Sequence, residues 1–239
     1  MSIKIPKHPY DATQALYAGR SVIQLVRAAT FTTGAISTAG IVTMADHGLK
    51  VNAAVRFKSG TAGEGLTADT IYYVVASEAG TFTLSSTYGG AAVVPTTAYT
   101  DAVFAKVHIF GTKLVTPKAE QETTELQEPG DDGISHTVDS RVKSVKETYE
   151  FEVPETKRIL EIFDKKLAGI LDAYATLIVP DPQADEDGTV ALASEEFHCK
   201  VTKSGDQKWG DGEFDKATLV LTNLESSMVE WDADVTIEA

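Results

Sequence analysis

His47-Gly48-Leu49, Val55-Arg56-Phe57, Gly65-Leu66-Thr67, Ile71-Tyr72-Tyr73-Val74-Val75, Thr81-Phe82-Thr83-Leu84 and Gly89-Gly90 succeed one another along a single stretch of this chain. Short β-type runs recur there about every ten residues, with glycine-containing turns between them, which is how a small all-β unit is written. Working outward, the composition changes at both ends. A Thr/Gly/Ala-rich segment leads in from residue 30, and Pro95-Thr96-Thr97 marks the approach to residue 108. Between those limits Lys50, Arg56, Lys58 and Lys106 nearly balance Asp46, Glu64, Asp69, Glu78 and Asp101, whereas the whole chain carries −14. A nearly neutral β domain over 30–108, inserted in an acidic host formed by 1–29 and 109–239, is the predicted organisation.

The host also reads as mainly β. Residues 1–12 look like a loose arm broken by Pro6 and Pro9, and 21–26 like a strand. The stretch 116–135 holds Glu120, Glu122, Glu125 and Glu128 with Leu126 and Ile134 as its apolar residues. So polar a segment has too little to bury; it reads either as an acidic loop or as an arm that orders against a neighbour. In 137–153, Val145, Tyr149, Phe151 and Val153 keep one phase and Val138 and Val142 the other, which predicts a bulge between them. Pro154 and Glu155 then open a helix over 154–168, with Ile159, Leu160, Phe163 and Leu167 as its apolar stripe. Strands follow to the end. In the last, 228–237, Trp231, Val235 and Ile237 are expected to pack inward while Glu230, Asp232, Asp234 and Glu238 take the other face. The predicted fold is an antiparallel sandwich or barrel-forming domain with one helix and an inserted small β domain.

A chain of 239 residues with 43% hydrophobic content is long enough for a sizeable core. Its strong negative charge argues against nucleic-acid binding through phosphate contacts. Cys199, the single cysteine, rules out an internal disulfide and alternates with Phe197 and Val201 as a core residue would. There is no signal-peptide-like apolar start, and no apolar run near the roughly 18 residues of a membrane span. The expectation is a soluble chain made in a cytoplasm and not inserted in a membrane.

No catalytic motif, cofactor signature or metal-ligand spacing is present, so no enzyme activity, cofactor or metal is expected. Thr61-Ala62-Gly63-Glu64-Gly65 has no helix after it and reads as a hairpin turn, not a phosphate loop. The cluster Asp181, Asp185, Glu186, Asp187 lacks the ligand spacing of a calcium loop. Trp209 reads as a turn tryptophan. The acidic rows are more informative. Glu150 and Glu152 on one strand, and Glu230, Asp232 and Asp234 on another, form either a solvated outer face or the lining of an aqueous channel that repels phosphate.

The ordered pieces of 47–93 resemble a small β module of tailed-bacteriophage structural proteins. There a His-Gly-Leu turn, a Tyr-Tyr-Val-Val strand and a Thr-Phe-x-Leu-Ser strand come in the same order. The host is similar in pattern to the tail tube proteins of long-tailed phages, through the arm 116–135, the strand 141–153 running into the helix 154–168, and the strand 228–237. This resemblance implies a virion protein in hexameric rings stacked into a tube, with inner strands closing a barrel around the DNA path. Partners would be further copies of the chain, tape-measure and terminator proteins, and DNA passing without specific binding. The insert would be an outward decoration. Two alternatives stay open. One is a receptor- or carbohydrate-contacting fibre or baseplate module using Tyr72, Tyr73, Phe82 and Tyr88; the other is a head–tail joining or terminator protein.

Overall fold

The computed structural model describes residues 2–4, 21–129, 135–153, 160–164, 166, 169–180, 190–204 and 217–238. Its strands are β1 (Ser2–Lys4), β2 (Ser21–Thr32), β3 (Ile41–Thr43), β4 (Ala54–Gly60), β5 (Ile71–Ser77), β6 (Thr81–Ser85) and β7 (Ala102–Thr112). They continue as β8 (Val115–Pro129), β9 (Ser135–Val153), β10 (Ile170–Pro180), β11 (Val190–Ser194), β12 (Phe197–Ser204), β13 (Ala217–Asn223) and β14 (Trp231–Glu238). All belong to one sheet, whose main path runs β3-β6-β5-β4-β7-β2-β10-β12-β13-β9-β8; β11, β14 and β1 branch from β10. Pairing is antiparallel except between β1 and β14. The protein is therefore mainly β, as expected.

Residues 30–108 contain a core of their own: Ile36, Val42, Val55, Phe57, Tyr72, Val74, Phe82, Leu84, Tyr99 and Phe104 pack together. The turn at His47 ties that core shut. His47 Nε2–H donates to the Glu78 carbonyl at 2.7 Å, and its Nδ1 accepts from the Leu49 amide at 3.0 Å, so the buried ring is neutral and both nitrogens are used. Gly63 explains the close glycines. A Cβ there would sit 2.1 Å from the Tyr99 ring, whose hydroxyl accepts the Leu66 amide at 2.9 Å. The segment is the predicted turn between β4 and β5.

Strands β2 and β7 nevertheless each cross the composition boundary and stay paired on both sides of it, with a register shift between Val26 and Thr30. Insert residues Ala54, Tyr73, Ala105 and Val107 also cover Val22, Val26 and Ile178 of the host. An ion pair between Arg56 and Glu196 fastens the same junction. Charge and turn chemistry distinguish 30–108 along the sequence, while β2 and β7 run through both of its limits.

Tyr73 is fully buried at this junction and its hydroxyl has no partner. Burial pushes its pKa above the ordinary tyrosine range. An unsatisfied buried hydroxyl costs about 1–3 kcal/mol. Tyr73→Phe is therefore expected to raise stability by about 1 kcal/mol, read as a higher urea midpoint at unchanged slope. A lower midpoint would show that the hydroxyl is bonded.

The host core lies on one face of β2, β10, β12, β13 and β9, built from Ile23, Leu25, Ala173, Leu177, Phe197, Cys199, Val201, Leu219, Leu221, Tyr149 and Phe151. Cys199 packs inside as predicted, and burial pushes its thiol up to about 12. The chain bends at Glu195-Glu196 and again at 224–230, so β11 and β14 continue the lines of β12 and β13 around a corner. The Glu195 amide donates to the Glu230 carbonyl at 2.9 Å and the Leu224 amide to the His198 carbonyl at 2.9 Å across it. Strands that switch direction in this way close a sandwich.

Several expectations change. Of the arm 116–135, residues 116–129 are not a loop but part of a strand, Val115–Pro129, paired along one edge with 135–153, and 130–134 lie outside the described residues. Hydrogen bonding to its own chain satisfies what side-chain burial does not. The predicted bulge is present, as Glu122 pairs with Ser144 and Thr123 with Val142, leaving Lys143 as the extra residue; a second shift falls at Val138. Ser2–Lys4, expected within a loose arm, pairs with Thr236–Glu238. Of the expected helix, 160–162 is helical and 163–164 a turn. Residues 154–159, 165 and 167–168 lie outside the described residues, as do 181–189 and Trp209.

Candidate functional site

Two features stand out: the open face of the host sheet and the hairpin extending from it. The registers of β10, β12, β13, β9 and β8 place Asp172, Lys200, Thr222, Thr148 and Lys118 in one row. Ile170, Thr202, Val220, Glu150 and Thr116 form the next, and Ser204, Thr218 and Glu152 a third. No core residue shares these rows, because the alternate residues of each strand fill the host core. Ile170, the first residue of β10, is 72% exposed. Beside it Tyr174 stacks on His198 with ring centroids 5.0 Å apart, and the His198 ring meets Asp172 at 2.5 Å.

This face mixes signs, against the expectation of a purely acidic row. Antiparallel register brings Lys118 beside Glu150, with Nζ 2.7 Å from the carboxylate. Lys146 stands opposite Glu120, and Ser144 Oγ donates to Glu122 at 3.3 Å. Glu152 is exposed at the register of Thr218. Sequence spacing along one strand cannot reveal which residues a neighbouring strand sets alongside it, and here it supplies lysines.

The second acidic row is on a different branch, since β14 joins the sheet through β11 rather than beside β9. Its strand begins at Trp231, not Met228. Glu230 is exposed in the corner before it, Asp232 is half-buried opposite Ala193, and the Asp234 side chain lies outside the described residues. Trp231, expected in the interior, is 39% exposed, with its ring 6.2 Å from Tyr149. The cause is Glu147, which the sequence reading missed. It occupies the apolar phase of β9 and is buried, accepting from Tyr149 Oη at 2.6 Å, the Val229 amide at 2.9 Å and Asn223 Nδ2 at 3.4 Å. That carboxylate needs donors, and taking the Val229 amide holds 224–230 as a corner rather than a strand. An acidic residue in an otherwise apolar phase was the available signal.

The hairpin departs from this base. Of β9, Tyr149, Phe151 and Val153 reach the core, and β8 has substantial contact with β9 alone. From Gln121 to Pro129 the ribbon extends about 30 Å at roughly 3.3 Å per residue. Glu120 and Glu122 are exposed on it; Glu125, Leu126 and Glu128 lie opposite Ser140, Asp139 and His136, and their side chains lie outside the described residues. Among the described residues no strand pairs with the outer edge of β8.

On the insert, the aromatic contact surface expected for a receptor-binding module does not form. Tyr72, Tyr73 and Phe82 are buried, and Tyr88 packs edge-on to Tyr73. Their β-strand alternation serves packing between the two layers.

A further polar cluster surrounds a buried cation. Arg27 is 9% exposed, and its guanidinium donates to both Asp164 oxygens at 2.9 and 2.8 Å, to the carbonyls of Glu161 and Ile162 at 3.0 and 2.7 Å, and to His108 Nε2 at 3.1 Å. It fixes the helical turn that sets Ile162 and Phe163 against the core. Asp164 follows that turn at φ 52°, and its hydrogen bond to Arg27 holds its carboxyl below the usual carboxylate range. Among the described residues no three His, Cys, Asp or Glu side chains converge as a metal site needs, and no helix is long and apolar enough to cross a membrane.

Compared with family models, curated proteins and solved structures, the chain matches none.

Proposed function

We propose that this chain is a structural subunit that self-assembles through its host sheet, in the manner of a phage tail tube protein, with stacked rings enclosing a passage for DNA. The observation carrying this reading is the β8–β9 ribbon, with an edge of 15 residues that no strand among the described residues covers. Open edges invite further pairing, and natural chains normally shorten, bend or cover them. An isolated two-stranded ribbon is also marginal in water. Contact with further copies resolves both problems.

In this reading the rows of Thr116, Thr148, Thr202, Thr218 and Thr222 with paired charges would line the passage. Hydroxyls and neutralised lysines give phosphate little to hold, and the acidic excess of the chain opposes counterion-releasing contacts. The insert and its junction would lie outward. Tape-measure and terminator proteins would be its neighbours, and the virion its place. Negative-stain microscopy of the purified full chain tests this. Tubes of constant width are expected; trimers or persistent monomers at high concentration would overturn the reading in favour of a fibre or joining role.

A further inference from the structure

Toward its tip, beyond Thr148, the hairpin loses its third strand. β13 pairs with β9 from Val153 to Thr148, and from Glu147 outward the backbone of β9 pairs with β8 alone among the described residues. A two-stranded ribbon is marginal and twists readily, so its direction depends on what holds its root. Rotating the root by about 10° moves the end of a ribbon about 30 Å long by about 5 Å, one strand spacing. Glu147 stands at that root. Its buried carboxylate reaches out of the hairpin to the 224–230 corner, accepting from the Val229 amide at 2.9 Å and from Asn223 Nδ2 at 3.4 Å. The corner is a firm abutment. Asn223 Nδ2 also donates to the Ser227 carbonyl at 3.0 Å, its Oδ1 accepts from the Glu225 amide at 2.8 Å, and the Glu225 carboxylate accepts from the His198 amide at 3.0 Å.

We infer that Glu147 is the positioning residue of the hairpin: held by the corner, it aims the ribbon before a second copy arrives. This rests on the assembly reading above and names the residue through which the host sets the direction of its contact arm. Preorganisation of this kind raises affinity by removing the cost of ordering on binding. It also gives a reason for a carboxylate in the apolar phase of β9, where a leucine would pack but would leave the Val229 amide without its acceptor.

Spin labels at Ser204→Cys and Gln127→Cys, both exposed positions, report the direction of the ribbon in the full-length monomer, since the native Cys199 is buried. One narrow distance distribution is expected for the otherwise unchanged chain and a broad one for Glu147→Leu. Glu147→Gln is expected to keep the narrow one, because its oxygen serves the Val229 amide while its amide group donates to Tyr149 Oη. Asn223→Ala, which leaves the hairpin untouched, is expected to broaden it as well. Without labels, Glu147→Leu should raise the protein concentration needed for assembly by at least about tenfold, with Glu147→Gln close to wild type. A distribution as narrow in Glu147→Leu as in wild type would overturn the inference, as would assembly of Glu147→Leu at the wild-type concentration. A chain that shows the broadening yet never assembles would overturn the assembly reading and leave the anchor standing.

Discussion

Replacing residues 121–145 with Asn-Gly is expected to abolish assembly while leaving a folded monomer. The cut joins Glu120 to Lys146, which face each other in the hairpin, and Asn-Gly suits the tight turn required there. The retained part of β9 keeps Glu147, Tyr149, Phe151 and Val153, so the host core and the Glu147 corner survive. A change in melting temperature of a few degrees at most is expected, together with loss of every species above monomer in sedimentation. In the intact chain the same segment should be cleaved quickly in the monomer and protected in assemblies, because a ribbon without a third strand opens readily. Tubes of normal width from the shortened chain would remove the hairpin from the interface.

Arg27→Ala should be the most damaging single substitution outside the apolar core. It removes the guanidinium that donates to the Glu161 and Ile162 carbonyls and to His108, and it leaves a cavity beside Ile162 and Phe163. Leaving the buried Ile162 carbonyl without this donor, with the Asp164 carboxylate exposed to water, is expected to cost about 2–3 kcal/mol by urea denaturation. Its pH dependence separates the components. The folded-state pKa of Asp164 is lowered. Its contribution is therefore in place above the unfolded carboxylate value near 4 and is lost as pH falls through the lowered folded value. The wild type should show that acid loss and Arg27→Ala should not. A loss below about 1 kcal/mol would mean that water replaces the guanidinium.

Much of the architecture was legible because it rests on local chemistry. Alternation of apolar and polar residues in 197–201 and 145–153 identifies buried faces directly, since side chains on a strand point alternately to its two sides. The phase change between Val142 and Val145 located a bulge for the same reason. The turns at His47-Gly48-Leu49 and at 61–65 were legible, because such turns depend on residue type at adjacent positions. These features were determined by the amino-acid sequence alone.

What only the tertiary structure decided is which strands lie side by side. Lys118 reaches Glu150 through a register set over a hairpin, so the acidic row became a mixed one. Glu147 buries its carboxylate because Val229 and Asn223, far along the chain, bring donors to it, and that contact leaves Glu230 outside the last strand and Trp231 part-exposed. Arg27 is buried as a cation because Asp164 and two carbonyls converge on it. Residues 116–129 became a strand because they pair with 135–153, a partner that the polar composition of the arm does not signal. Each outcome depends on non-local pairing, where a one-residue shift exchanges the faces of a whole strand. Alternation along a single strand carries no information about such neighbours.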